Sequence, residues 1–324
     1  MKLLDIFAQC KHEVQAVERE LEKSIVSDNA LLTETSLHLL KAGGKRIRPI
    51  VVLLSGGFGD GKPEVLRQVA VSLELIHMAS LVHDDVIDDA ETRRGQPTVK
   101  AKWDNKIAMY TGDYIFARAL GVISRLENAQ IHQKFSKAIV QMCIGEMEQI
   151  RLFFDTRQTI RDYLLRIRRK TALLIAISCQ LGALSANASS DAVRRLYDYG
   201  YNCGMAFQIR DDILDLTGTK RQLGKPPGSD VKQGNITLPV IYALRDKTYG
   251  GQVLKLITEV QSTGAAETLA KLVELIRMTD GIQHAELLAR RYIEKAINAL
   301  APLPDINEKR SLIEIAHFIG SRSS

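Results

Sequence analysis

Residues 73–89 join an unbroken apolar stretch to four aspartates that fall within six positions. No helix breaker interrupts the apolar part, which predicts a buried helix that ends before Gly95. Asp84 and Asp88 follow the helical spacing of the apolar residues, so they extend a buried face. Carboxylates at the C-terminal end of a helix oppose its dipole and repel one another. This acidic face therefore requires a metal ion or cationic partners.

The same Asp-Asp-x-x-Asp spelling occurs a second time, at Asp211, Asp212 and Asp215, with Gln208 on the same helical face. Asp85 completes the first copy. Aspartate oxygens suit Mg2+, which takes one or two carboxylates together with water and substrate phosphate oxygens. The two copies predict two acidic walls that hold one diphosphate through Mg2+ ions. The alternative for either copy alone is a solvated acidic helix end.

The composition favours an enzyme with an anionic substrate over a nucleic-acid-binding protein. The 324 residues are 45% hydrophobic, which is enough for one large domain or two ordinary ones. The formal charge of +6 suits anionic substrates or an acidic membrane surface. We do not expect nucleic-acid binding, because there is no dense basic tract and aromatic residues make up 6% of the chain.

Cysteine spacing and hydropathy indicate the compartment. The four cysteines lie far apart, without zinc-ligand or disulfide spacing, which favours a reducing cytoplasm. The N-terminal residues lack the apolar run of a signal peptide. No apolar stretch approaches the about 20 residues that a transmembrane helix needs. We therefore expect a cytoplasmic protein that makes at most peripheral membrane contact.

Apolar residues recur at helical spacing through most of the chain, and no useful period-two strand pattern is found. The prediction is an all-α protein. We expect one domain, residues 1–324, because both aspartate motifs must reach one ligand. The Gly- and Pro-rich residues 217–230 predict a loop that can close the site. Glu146 and Glu148, near the end of a long helix, are assigned to a solvated or partner-facing surface.

Two basic positions are candidates for binding anions. Gly43 and Gly44 end one predicted helix, and Lys45 opens the next. The N–H groups at this helix start, with Lys45 and Arg48 on one face, predict an anion site. The alternative is a C-cap glycine followed by solvated basic residues. Lys170 stands between a basic and an apolar stretch, so it either extends to solvent or points into a cavity.

These motifs resemble those of the trans-prenyltransferases, the polyprenyl diphosphate synthases, over nearly the whole chain. Besides both aspartate motifs, the resemblance rests on Gly43-Gly44-Lys45-Arg46-Ile47-Arg48-Pro49, Arg93-Arg94-Gly95, Lys170-Thr171 and Leu223-Gly224-Lys225. Within the family it is greatest to the two-component heptaprenyl diphosphate synthases of bacteria, which serve menaquinone synthesis. The resemblance implies an isoprenoid synthase fold, a helical bundle around a central cavity, with Mg2+ as cofactor. It also implies a homodimer or a heterodimer with a smaller component 1 subunit.

The resemblance assigns roles to individual residues. The isopentenyl diphosphate site is expected at Lys45, Arg48, His77 and Arg94. The allylic diphosphate, expected to be farnesyl diphosphate, is assigned to Arg93, Lys170, Thr171, Gln208 and Lys225, of which the first four are also the catalytic group. The Mg2+ ligands are Asp84, Asp88 and Asp211, supported by Asp85, Asp212 and Asp215. One departure is Asn235, where many shorter-chain relatives carry a lysine.

The implied reaction condenses the allylic diphosphate with successive isopentenyl diphosphate units, without a side-chain nucleophile. Ala79 and Ser80 precede the first motif, and both are small. Because aromatic residues there would block a product tunnel, we expect a product of about C30 to C40, in the heptaprenyl range. The alternatives are a farnesyl or geranylgeranyl diphosphate synthase and a non-catalytic partner subunit. A terpene cyclase would lack the second diphosphate site, and a His83-Asp84 phosphohydrolase would need further histidine ligands.

Overall fold

A computed structural model describes residues 10–223 and 226–321, without the side chains at positions 220 and 221. Regular structure in these ranges is almost entirely helical, which confirms the predicted all-α class. The chain divides into two compact units, and each is described by itself. The first comprises Met1–Ser136, Ile177–Tyr197 and Leu303–Glu314, and the second comprises Lys137–Ala176, Asp198–Pro302 and Ile315–Ser324. A single domain around one central cavity stays a prediction.

The first unit is organised around one long apolar helix. Its helices include α1 (Lys11–Ser24), α2 (Ala30–Lys41), α3 (Ile47–Gly56), α4 (Pro63–Ile87), α5 (Val99–Lys102) and α6 (Asn105–Ile123). Helix α4 packs against α1, α3 and α6, and most of its residues between Val69 and Val82 are buried. Pro63 suits the first helical position, because its missing N–H would have no partner within the helix.

The chain turns sharply after α4. The helix ends at Ile87, and Asp89 adopts a positive φ of 50°, which a short polar side chain tolerates. The turn therefore comes earlier than the predicted stop at Gly95. An antiparallel hairpin of β1 (Thr92–Arg93) and β2 (Gln96–Pro97) follows. Strands this short show no alternating pattern, which is why the sequence did not predict them.

Helix α4 also corrects the expectation about membrane-spanning segments. Its length and apolar composition are sufficient for it to cross a membrane. The core helices of soluble proteins satisfy the same criterion, and 67% of the most apolar 18-residue window of α4 is buried inside the protein. Helix α4 is therefore buried to the extent expected of a core helix.

The second unit is also helical. It contains α8 (Ile160–Ile167), α11 (Lys220–Leu223), α12 (Ser229–Lys232), α13 (Leu238–Leu244), α14 (Gly250–Thr263), α15 (Ala266–Arg277) and α16 (Gly281–Leu300). A π turn, Arg168–Ala172, follows α8. Other helices contribute residues to both units, namely α7 (Ala129–Arg151), α9 (Leu173–Ser185), α10 (Ser190–Thr217) and α17 (Asn307–Ser321).

The hydrophobic core of the second unit supports the second aspartate motif. Met205, Ile209 and Ile213 on α10 are buried together with Leu238 of α13 and Ile276 of α15. Because these apolar residues recur at helical spacing, the opposite side of α10 is left for polar residues. The Gly- and Pro-rich segment predicted as a loop is partly helical where the structure describes it, since it contains α11 and the start of α12.

Candidate active site

The three carboxylates of the first aspartate motif differ in solvent exposure: one is buried and two are more accessible. Asp84 and Asp88 are half-buried, whereas Asp85 is only 2% exposed. Arg93 donates to Asp85 Oδ1 from Nε at 2.8 Å, and its Nη2 lies 2.7 Å from the same oxygen. Burial raises the pKa of Asp85, and the bond to Arg93 opposes that rise. Asp85 therefore positions Arg93, and Asp84 and Asp88 remain as candidate metal ligands.

The hairpin that carries Arg93 is fixed on both sides. His38 Nε2 donates to the carbonyl oxygen of Pro97 at 2.7 Å. Lys100, which is almost completely buried, forms an ion pair with Asp89. These contacts hold the hairpin close to the end of α4, so the position of Arg93 does not depend on its own ion pair alone.

The basic segment before α3 differs from its prediction. Arg46 has a positive φ of 47° and is buried, and the helix begins only at Ile47. Lys45 therefore precedes the helix and is exposed, so it does not share a helical face with Arg48 as expected. Arg46 Nη1 instead donates to the buried Glu74 at 3.0 Å. The sequence reasoning gave Arg46 no role, although a glutamate within the apolar α4 pattern signalled a buried cationic partner.

The charges of four arginines of the first unit act on His77. Burial is the main cause that lowers the pKa of His77 well below its ordinary value, and the charges of Arg48, Arg94, Arg93 and Arg46 add to it. The imidazole is therefore neutral at neutral pH. We call these four arginines with His77 the arginine cluster. The sequence reasoning placed Arg48, His77 and Arg94 in one anion site. Arg46 and Arg93, the other two members of the cluster, were not part of that site.

The arginine cluster is suited to an anion. Burial lowers the pKa of both Arg48 and Arg94. Arg48 Nε is buried and has no hydrogen-bond partner among residues 10–223 and 226–321. A Cβ added to Gly44 would lie 2.6 Å from a guanidinium nitrogen of Arg94, so this arginine lies against the glycine backbone. An unpartnered buried donor within concentrated positive charge favours a phosphate ligand.

In the second unit, Lys170 and Thr171 lie on the π turn. Lys170 Nζ donates to Glu146 Oε2 at 3.1 Å, and Arg169 forms an ion pair with Glu148. Glu146 and Glu148 are therefore not fully solvated, because the π turn supplies their cationic partners and each side chain is 26% exposed. The alternative of a partner-facing surface stays a prediction. π turns occur frequently at functional sites, where the extra residue redirects side chains.

Two glycines allow neighbouring helices to approach the π turn. A Cβ added to Gly145 of α7 would lie 2.6 Å from Cβ of Arg169. A Cβ added to Gly204 of α10 would lie 2.5 Å from Cα of Ala172. Since real Cβ atoms do not approach other atoms this closely, glycine is required at both positions. The π turn is thus held between two close helix contacts.

A chain of hydrogen bonds connects the π turn with the second aspartate motif. Thr171 Oγ1 donates to Gln208 Oε1 at 2.6 Å, and Gln208 Nε2 donates to Asp212 Oδ1 at 2.8 Å. Tyr163 donates to Asp212 Oδ2 at 2.7 Å. Burial, followed by the charge of Asp230, raises the pKa of Asp212 to about 7. Both Asp212 oxygens are therefore engaged within the protein.

The second motif also buries its middle residue, but unlike the first it buries its last residue as well. Its middle residue, Asp212, is buried and bonded, whereas Asp211 is half-buried. Asp215 is buried, and its Oδ2 accepts from the backbone N–H of Asp230 at 3.2 Å. Its carbonyl oxygen accepts from the N–H of Gly228 at 2.8 Å. Asp215 thus fixes the chain that returns after α11, and Asp211 is the more accessible carboxylate.

Comparison with known proteins decides the family. Residues 29–276 match the family described as Polyprenyl synthetase. The chain belongs to the polyprenyl synthetase family. It is similar to heptaprenyl diphosphate synthase component 2 of Geobacillus stearothermophilus, with 53% identity over 323 residues and 99% of each chain covered. It is accordingly a transferase of the prenyltransferase class.

Solved structures show the same fold. The heptaprenyl diphosphate synthase of Staphylococcus aureus has a TM-score of 0.92 and 41% identity, with 97% of this chain and 98% of that chain covered. The polyprenyl synthase of Caulobacter crescentus CB15, solved with calcium and isoprenyl diphosphate, has a TM-score of 0.94 and 29% identity, with 100% and 98% covered. These similarities confirm the predicted isoprenoid synthase fold.

The carboxylates of this polyprenyl synthetase fit a divalent metal that is completed by its substrate. In the part of the chain that the structure describes, no three His, Cys, Asp or Glu side chains are grouped as a metal site. Asp84 and Asp88, one helical turn apart and half-buried, provide the one or two oxygen ligands that Mg2+ prefers beside phosphate oxygens. Their assignment stays a prediction, as does that of Asp211.

Two remaining predicted positions lie after the second motif. Lys225 lies outside the described residues. Asn235 donates its backbone N–H to the Asp230 carbonyl oxygen at 2.8 Å, so it stabilises the segment that Asp215 also holds. Because the backbone makes this bond, it does not depend on the side chain at position 235, and the loss of a cationic contact there stays a prediction.

Proposed function

We propose that this prenyltransferase is the catalytic subunit of a long-chain synthase that adds isopentenyl diphosphate units to farnesyl diphosphate. The observation that carries the proposal is the arginine cluster, in which the buried, unpartnered Nε of Arg48 lies near a neutral His77. An enzyme that only ionises one diphosphate needs no second anion site. The cluster supplies that second site for isopentenyl diphosphate.

We assign Mg2+ to Asp84, Asp88 and Asp211 as the cofactor of the allylic diphosphate. When bound, Mg2+ neutralises the diphosphate and stabilises it as a leaving group. Asp85 and Asp212 are buried and hydrogen-bonded within the protein, which supports this choice of ligands. Asp85, Asp212 and Asp215 are assigned supporting roles. The calcium in the Caulobacter crescentus structure is consistent with a divalent ion.

The protein's own residues hold the reactants. Arg93, which Asp85 orients, and Lys170 on the π turn each provide a positive charge for the departing diphosphate. Thr171 and Gln208 are assigned to the same group: the second N–H of Gln208 Nε2 is the donor, and the Thr171 hydroxyl, which donates to Gln208 Oε1, holds the amide in place. Departure of the diphosphate leaves an allylic carbocation.

The second reactant is held by the arginine cluster. Lys45, Arg48 and Arg94 bind the diphosphate of isopentenyl diphosphate, and His77 acts as a neutral hydrogen-bond donor. The double bond of the bound molecule attacks C1 of the carbocation, with the rate advantage of proximity. A proton then passes to the released diphosphate, so no side-chain nucleophile or base is needed.

The product length follows from the residues before the first motif. Ala79 is only 1% exposed, and the hydroxyl of Ser80 donates to the carbonyl oxygen of His77 at 2.9 Å. Neither side chain is large, and the polar group of Ser80 is already satisfied by the backbone. We propose a heptaprenyl product, within the range of about C30 to C40 that an open tunnel allows. The heptaprenyl diphosphate synthases among the similar proteins support this length.

The biological setting is also a proposal. Because the similar Geobacillus protein is named component 2, we propose that the chain functions as a heterodimer with a smaller subunit rather than as a homodimer. All four cysteines are free thiols, which supports a cytoplasmic location. The product would supply the side chain of menaquinone and would leave through peripheral contact with the membrane.

The test is incorporation of radiolabelled isopentenyl diphosphate by the full chain, with farnesyl diphosphate and MgCl2. The assay is run with and without a candidate smaller subunit, and the dephosphorylated products are separated by chromatography. We expect elongation to the heptaprenyl product when both subunits are present. Products that stop at C20, or no incorporation in either assay, would refute the proposed function.

A further inference from the structure

Tyr163 is a buried residue of α8 to which the sequence reasoning gave no role. Its side chain is 0% exposed, and its hydroxyl donates to Asp212 at 2.7 Å. Arg166 lies beside the ring, with its guanidinium carbon 5.6 Å from the ring centroid. Arg166 is itself fixed by bonds to Gln158 at 3.1 Å and to the carbonyl oxygen of Ile236 at 2.8 Å. The tyrosine hydroxyl is therefore held in one place by the surrounding core.

The hydroxyl of Tyr163 donates to Oδ2 of Asp212 at 2.7 Å. The other oxygen, Oδ1, accepts from the amide of Gln208 at 2.8 Å. Removal of the hydroxyl would leave a buried carboxylate oxygen without its donor, which destabilises the observed arrangement.

The orientation of Gln208 depends on Asp212. A glutamine amide has an oxygen acceptor at one end and N–H donors at the other, and its partners decide which end faces which way. Because Nε2 of Gln208 is bonded to Asp212, its oxygen is turned toward the hydroxyl of Thr171. An Asp212 free to rotate would allow the Gln208 amide to reverse and would release Thr171.

We propose that Tyr163 is a positioning residue for the allylic diphosphate, which acts through Asp212 on Gln208 and Thr171. This inference rests on the proposed function, in which Gln208 and Thr171 hold that diphosphate. Tyr163 acts through these residues because its own side chain is fully buried. Its influence is therefore selective for one of the two substrates, since the arginine cluster shares none of these bonds.

Tyr163→Phe removes the hydroxyl and keeps the ring. We assay the full chain, with the smaller subunit if the wild type needs it, using farnesyl diphosphate, radiolabelled isopentenyl diphosphate and MgCl2. We expect the KM for farnesyl diphosphate to rise about tenfold and the KM for isopentenyl diphosphate to change less than about twofold. Tyr242→Phe removes a hydroxyl from a half-buried tyrosine of the same unit and should change neither value. An equal rise in both KM values, or no rise, overturns the inference.

A double-mutant cycle tests whether Tyr163 acts through Gln208. If it does, adding Tyr163→Phe to Gln208→Ala changes the KM for farnesyl diphosphate less than about twofold beyond Gln208→Ala alone. Full additivity contradicts the relay. If the wild-type protein is inactive, the proposed function is refuted. If the wild type is active and Tyr163→Phe leaves the KM for farnesyl diphosphate unchanged, only the role of Tyr163 is refuted.

A second variant covers the case in which Tyr163→Phe does not fold, as judged by thermal unfolding. Asp212→Ala removes both acceptor oxygens, so the bonds from Tyr163 and from Gln208 are both lost. The same selective rise in KM therefore supports the relay. An unchanged KM, or a change only in the Mg2+ concentration required, overturns it.

Discussion

Arg46 and Glu74 form an ion pair at 3.0 Å in which the side chains are only 6% and 4% exposed. Arg46 also donates to the carbonyl oxygen of Leu40 at 3.3 Å, near the end of α2. The pair thus connects α4 to the glycine segment that precedes α3. Its position explains how one carboxylate can stabilise a cluster of arginines and still leave Arg48 and Arg94 for an anion.

Glu74→Gln would remove the buried carboxylate that pairs with Arg46 and would leave it only the half-exposed Glu18, whose Oε1 lies 3.4 Å from Arg46 Nε. We expect the free energy of unfolding to fall by about 3–5 kcal/mol, as for other buried ion pairs that lose one partner. Urea denaturation at pH 7 measures this change. Glu20→Gln is the matched control, because it removes the partner of Lys23 in a pair whose side chains are 72% and 46% exposed. That loss should be at most about 1 kcal/mol, and equal losses for both variants would contradict the assigned role of Glu74.

Gly204→Ala would push α10 away from the π turn. The added Cβ would lie 2.5 Å from Cα of Ala172, and backbone atoms cannot yield as a flexible side chain can. We expect a loss of about 1–3 kcal/mol in unfolding free energy and a reduced elongation rate. Gly251→Ala on α14 is the control, since a Cβ there meets nothing within 4 Å. Normal stability and rate for Gly204→Ala would show that the close contact is not required.

The start of α8 gives a prediction for pH dependence. Thr159 and Asp162 form a reciprocal capping box, and the backbone N–H of Thr159 is the main cause of the lowered pKa of Asp162. Because the folded pKa is below the ordinary value of about 3.9, the stabilisation is complete above that pH and is lost as the pH falls through the folded pKa. Thr159→Ala should cost about 1 kcal/mol at pH 7.

Urea midpoints measured between pH 7 and pH 2 check the sign of this effect. Asp162→Asn should be less stable than wild type at pH 7, and the difference should shrink as the pH falls. A difference that grows at low pH would contradict the assignment.

The sequence predicted the all-α class and the residues of both motifs, because helical periodicity and motif spelling are local properties. The sequence could not show that the middle aspartate of each motif is buried and hydrogen-bonded within the protein. That distinction depends on Arg93 and Tyr163, which reach Asp85 and Asp212 from separate elements. The π turn was also missed, since it depends on the close approach that Gly145 and Gly204 allow.

Ala79→Phe tests the proposed product length. A phenyl ring at a buried position five residues before Asp84 should narrow the product tunnel and shorten the products. Chromatography of dephosphorylated products measures the change. Ala266→Phe introduces the same ring at an exposed position and should leave the product length unchanged. Full-length products from Ala79→Phe would place the tunnel elsewhere.

The central claim is that the accessible aspartates bind the allylic diphosphate through a divalent metal. The most direct test is the rate of radiolabelled isopentenyl diphosphate incorporation by Asp84→Ala and Asp211→Ala at saturating farnesyl diphosphate and MgCl2. We predict that each rate falls at least about a hundredfold, with folding preserved. Undiminished chain elongation by either variant would contradict the account.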